Sequence, residues 1–146
     1  MVLLMTGLAL AAEPNVQTGS FGLSYSLGQL SMSSANTDVL MGGHYFLAPK
    51  KAIRASVGLN TTTDDLALIG SYRSYFRGGA ARPFVELGGG LAMDFGIGLL
   101  ASGQFGGEVW VLPQLSLWGS TGLLVTIDDG VSVATASSTL NLALYF

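Results

Sequence analysis

After Gly19 the chain alternates apolar and polar residues in eight segments, each closed by a break. The apolar positions are Phe21, Leu23, Tyr25 and Leu27 in the first, and Met41, Gly43, Tyr45 and Leu47 in the second. Ile53, Ala55, Val57 and Leu59 follow, then Leu66, Leu68, Gly70, Tyr72 and Phe76. The fifth and sixth carry Val85, Leu87, Gly89, Leu91 and Phe105, Gly107, Val109, Val111. Leu117, Gly119, Thr121 and Leu123 form the seventh, and Leu140, Leu142, Leu144 and Phe146 close the chain. A period of two places successive side chains on opposite faces of a strand. Each segment runs roughly 9–11 residues, enough to cross a bilayer at a tilt of about 45°. The breaks at Pro49, between Arg77 and Pro83, and at Pro113 predict tight turns. Those from Ser31 to Asp38, Asn60 to Asp65, Asp94 to Gly98 and at Asp128-Asp129-Gly130 predict longer loops on the other side.

Composition sharpens this picture. Of 146 residues, 49% are hydrophobic and only 10% charged, against about a quarter in ordinary soluble domains. No apolar run reaches the roughly 18 residues of a membrane-spanning helix. The apolar residues are dispersed among 21 glycines in short alternating stretches, which favours strands. A net charge of -3 and the lack of a long basic patch argue against nucleic acid. Without cysteine there is neither a disulfide framework nor a thiolate metal site.

Residues 1–11 read as a secretory signal whose start is truncated: an apolar stretch from Val2 to Ala11 ends in Ala9-Leu10-Ala11, with no basic residue ahead of it. Residues 12–19 then form a linker and 20–146 a single β domain. Within that domain Gly42-Gly43-His44-Tyr45-Phe46-Leu47-Ala48-Pro49 aligns with Gly106-Gly107-Glu108-Val109-Trp110-Val111-Leu112-Pro113, suggesting two four-strand halves.

The charges identify the faces. Arg54, Arg73, Glu86 and Glu108 all fall on the polar parity of consecutive segments three to six. Facing lipid, each would cost about 2–4 kcal/mol at the midplane. Inside a narrow barrel they can pair, with His44 from the second segment beside them. Such a network fills the lumen as a plug of salt bridges, or serves as a gate or proton path. No G-x-S-x-G nucleophile motif is present, the one histidine lies on the inward parity, and the Asp64-Asp65 and Asp128-Asp129 pairs read as solvated loop residues. No catalytic residue, metal site or cofactor is therefore expected.

The stretch from Gly42 to Pro49, Arg82-Pro83-Phe84-Val85-Glu86-Leu87-Gly88, the stretch from Gly106 to Pro113, and the terminal Tyr145-Phe146 resemble the small outer-membrane barrels, the OmpA transmembrane domain and the OmpX/Ail group. The resemblance implies an all-β fold, an eight-stranded antiparallel up-and-down transmembrane β-barrel in the bacterial outer membrane. It implies partners in outer-membrane lipid and lipopolysaccharide, and insertion by the barrel-assembly machinery with Phe146 as signal. The expected function is a structural or surface role, by a monomer with a narrow or closed lumen. The alternatives are a small pore for ions or solutes and a soluble lipocalin-like ligand-binding barrel.

Overall fold

The computed structural model describes residues 12–26, 30–31, 36–37, 39–60, 65–93, 97–128 and 130–146. The expected signal segment 1–11 lies outside them. Eight long strands form the molecule: β1 (Phe21–Ser26), β2 (Val39–Ala48), β3 (Lys51–Asn60), β4 (Asp65–Tyr75), β5 (Ala81–Met93), β6 (Ile97–Leu112), β7 (Leu115–Ile127) and β8 (Val131–Tyr145). Each pairs antiparallel with the next, and β8 pairs with β1 to close an up-and-down barrel. Two-residue strands at Leu30–Ser31 and Asn36–Thr37 extend the β1–β2 hairpin. Closure leaves none of the eight long strands at a sheet edge. No helix of the described residues is long and apolar enough to cross a membrane.

The register sets the tilt. Partners of Leu23 run through Gly43, Ala55, Gly70, Gly89, Ala101 and Val125 to Val133 on β8. Leu23 itself pairs with Leu144 across the seam, eleven residues further along β8 (144 − 133). One of those eleven is the extra residue of a bulge between Ser138 and Asn141. A stagger of this kind is what closing a tilted barrel requires, with strands at about 35–45° to the axis. The bulge also inverts parity within β8: Val131 and Val133 point out above it, Leu140 and Leu144 below it.

Two expectations change. Strands β5–β8 run 13–16 residues, longer than the alternating segments suggested. Their upper parts mix apolar residues such as Leu99, Leu100, Leu124 and Val125 on both parities with Gly, Ser and Thr, which blurs the alternation while the backbones pair equally well. Loop lengths do not separate the two ends either: residues 76–80 connect β4 to β5, whereas 94–96 suffice between β5 and β6.

The outward face is apolar. Phe21, Leu23, Ile53, Val57, Leu87, Val109 and Leu144 are exposed, while Leu142 on the same parity is half-buried. The inward face forms layers. At the lower end, where the turns at 49–50 and 113–114 and the chain terminus lie, Phe46, Tyr75, Phe84, Trp110 and Tyr145 pack into a buried aromatic cluster. They lie inside, on the same parity as the charges, because a barrel of this width needs large side chains to fill it. Segment 12–19 is no free linker: Ala12, Asn15 and Gly19 donate backbone N–H groups to Trp110, Pro113 and Phe46 oxygens at 2.7, 2.9 and 2.8 Å, and Val16 is buried against the cluster. Near the upper end Leu40, Ala67, Leu100 and Leu124 form a second apolar layer.

Candidate functional site

Between the two apolar layers β2 to β5 and β6 to β8 point their polar side chains at one another. Arg54 of β3 and Arg73 of β4 share Glu86 of β5: Arg54 Nη1 lies 2.6 Å from Oε1, and Arg73 Nε 2.7 Å from Oε2. Arg73 Nη1 reaches Glu108 of β6 at 3.0 Å. All four side chains are buried. Two guanidinium groups face two carboxylates, so the formal charges cancel within the layer. Buried charges need that cancellation together with hydrogen bonds on their remaining lone pairs.

Those hydrogen bonds are present. Glu86 Oε1 also accepts from the Ser71 hydroxyl at 2.8 Å. Glu108 accepts from the Tyr75 hydroxyl at 2.5 Å, from the Tyr145 hydroxyl at 2.6 Å, and from Ser116. Arg54 Nε donates to His44 Nε2 at 3.0 Å. A guanidinium has no acceptor, so Nε2 offers its lone pair and the imidazole proton resides on Nδ1. That atom faces the Tyr145 hydroxyl at 3.4 Å. Tyr145 thereby links β8 to β2 across the narrow β1, from inside the barrel.

Aromatic faces complete the layer. Trp118 lies 4.3 Å from the Arg54 guanidinium carbon and 4.2 Å from that of Arg73, which also sits 3.7 Å from the Phe84 ring. Stacking of this kind stabilises a desolvated guanidinium by about 2 kcal/mol. It covers Arg73 Nη2, which has no hydrogen-bond partner among the described residues.

The structure thus brings Arg54, Arg73, Glu86, Glu108 and His44 into one connected cluster. Sequence reasoning did not select Tyr75, Tyr145, Ser116 and Trp118. Their inward parity was available, but an aromatic on a polar face gives no sign of which charge it will meet. The aligned halves give part of that signal. Phe46 and Trp110 are both wholly buried, and a register irregularity follows each, between Phe46 and Ala48 and between Trp110 and Leu112. The tyrosines ending the two halves, Tyr75 and Tyr145, both donate to Glu108.

Above the charges lies a cavity of about 30 Å³ lined by Ser56, Ser71, Ser102, Gln104, Arg54 and Glu86, with Leu40, Leu100 and Leu124 over it. Its size suits a water or two. Among the described residues no group of three or more His, Cys, Asp or Glu side chains is arranged to hold a metal ion. Phe146 is placed apart from the cluster: its backbone exchanges hydrogen bonds with Phe21 at 2.7 and 3.3 Å, closing the foot of the β1–β8 seam, and its ring is exposed.

The fold is similar to that of the N-terminal β-barrel domain of Pseudomonas aeruginosa OprF, with a TM-score of 0.64 and 16% identity over 89% of this chain and 98% of that one. It is also similar to Neisserial surface protein A, NspA, at a TM-score of 0.50 and 12% identity over 87% of this chain and 95% of that one. At these identities the likeness is one of fold. No family model and no curated protein matches the chain.

Proposed function

We propose that the chain is an integral outer-membrane β-barrel with a structural or surface role, a lumen closed by its charge network, and its lower end in the periplasm. One observation carries this reading. The barrel's exterior carries large apolar side chains on every strand, while Arg54, Arg73, Glu86 and Glu108 all point inward. Water would favour the opposite arrangement, whereas a bilayer penalises each outward charge by about 2–4 kcal/mol at its midplane. The soluble ligand-binding alternative needs an apolar interior able to hold a ligand, and this interior is packed and charged. The likeness to these β-barrel structures supports the same location.

The lumen reads as blocked at three levels: the lower aromatic cluster, the charge layer and the upper apolar layer. One observation favours the small-pore alternative, the cavity beside the Arg54–Glu86 pair, whose lining includes Ser56, Ser71, Ser102 and Gln104. Refolding into lipid vesicles followed by planar-bilayer recording distinguishes the two. The closed reading expects the wild type to insert and pass no steady current, and Arg54→Ala to add openings. Steady current through the wild type replaces it with the pore. A chain that stays in solution beside vesicles refutes the membrane assignment.

A further inference from the structure

Of the chain's six Lys and Arg residues, two lie in the lumen network. A third, Arg82, is buried at the lower rim, where it donates to the carbonyl oxygens of Gly79 and Pro49 at 2.9 Å each. The other three, Lys50, Lys51 and Arg77, are exposed, and none is ion-paired among the described residues. They belong to two adjacent connections at the lower end. The Lys50 carbonyl accepts from the Tyr75 N–H at 2.8 Å, Lys51 pairs with Ser74, and Arg77 follows Phe76 directly.

What lies above them distinguishes this cluster from ordinary charged turns. On the outward face, Tyr45, Ile53, Tyr72 and Phe76 are 43%, 44%, 39% and 64% exposed. The three cations therefore edge an apolar and aromatic surface. Lys and Arg at such an edge lay their stems along apolar surface and keep their charged heads at the polar boundary. Among the described residues Asp65 and Asp128 belong to the opposite end, and Glu13, exposed at this end, forms no ion pair with any of the three cations.

We propose that Lys50, Lys51 and Arg77 form a docking site for the headgroups of anionic phospholipids in the periplasmic leaflet. This inference rests on the membrane reading above and adds a ligand class to it. The occupant follows from charge and position: three unpaired cations, spread over neighbouring turns at the foot of the lipid-facing surface, match phosphate groups lying in that plane. Lipopolysaccharide belongs to the other leaflet and would meet the aspartate end.

The test uses the whole protein in mixed micelles holding equal phosphatidylglycerol and phosphatidylcholine, with retained lipid counted by native mass spectrometry. Each basic residue near an anionic surface contributes roughly fivefold, so the wild type should prefer phosphatidylglycerol on the order of a hundredfold, less at high salt. The K50Q/K51Q/R77Q variant should show no preference. The K50Q/K51Q variant, which leaves the Arg77 hydrogen bond to Ala81 intact, should keep about fivefold. Asp128→Asn should behave as wild type. A folded wild type without preference, or a triple variant that keeps it, overturns the headgroup site while leaving the membrane reading intact. Parallel refolding into vesicles separates the two: a wild type that fails to insert there overturns both.

Discussion

Glu108→Ala removes the most connected side chain of the lumen. In the wild type its carboxylate holds Arg73 at 3.0 Å and accepts from Tyr75, Tyr145 and Ser116 hydroxyls, with no solvent exposure. Alanine leaves Arg73 with Glu86 as its one counterion. Breaking a buried ion pair from one side costs about 3–5 kcal/mol. Each orphaned buried hydroxyl adds roughly 1–3 kcal/mol if it finds no new partner. Relief is available: the Tyr145 hydroxyl already lies beside His44, and the vacated volume admits water. A net loss of about 4 kcal/mol is therefore expected, near the middle of the ion-pair range. With a urea dependence of about 2 kcal/mol per molar, the midpoint falls by roughly 2 M. Refolded protein in vesicles, titrated with urea and followed by tryptophan fluorescence, measures it directly, because Trp110 and Trp118 sit within or against the layer. A cycle with Arg73→Met should give a coupling well above the roughly 0.5 kcal/mol within which independent sites add. Additivity within that margin, or an unmoved midpoint for Glu108→Ala, would refute the view that this pair holds the lumen together.

Further outcomes follow from other contacts. Tyr145→Phe should cost about 1–3 kcal/mol in the same titration, since it removes the donor to Glu108 and the neighbour of His44; an unchanged midpoint would show that the β8-to-β2 link contributes nothing. Inward and outward glycines should respond in opposite ways. A Cβ at Gly106 would lie 2.1 Å from the Gly119 carbonyl oxygen, whereas one at Gly70 meets nothing nearer than 3.9 Å; Gly106→Ala should therefore lower folding yield and Gly70→Ala should not, and equal yields would contradict the register. For orientation, cysteines placed by Lys50→Cys and Asp128→Cys can be labelled in intact cells with an impermeant reagent. Modification at 128 and not at 50 is expected, and the reverse pattern would invert the proposed topology.

Face assignment was legible in the sequence alone, because a strand's side-chain period of two is a local property of the backbone. Once Leu140, Leu142, Leu144 and Phe146 marked one face, Asn141, Ala143 and Tyr145 had to occupy the other, and the structure buries those three. The same rule put Arg54, Arg73, Glu86, Glu108 and His44 on one interior surface before any partner was known. Pairing among the charges followed from the same rule, and the structure joins Arg54 and Arg73 to Glu86 and Glu108; the hydroxyl partners were not legible. His44 and Tyr145 are 101 residues apart, and Tyr145 and Glu108 37; only the ring closure and its stagger make them neighbours across the lumen. The β8 bulge shows in the sequence only as a shift of apolar residues from odd positions, Val131 and Val133, to even ones, Leu140 and Leu144, and the strand pairing is what locates it. The aromatic cluster is an intermediate case. Parity placed Phe46, Tyr75 and Trp110 inside, but their packing into one cluster depended on how much volume a barrel of this width must fill. Local alternation thus determined which way each side chain points. The three-dimensional register decided what it meets there, because contacts across a lumen join strands that are not neighbours in the sheet.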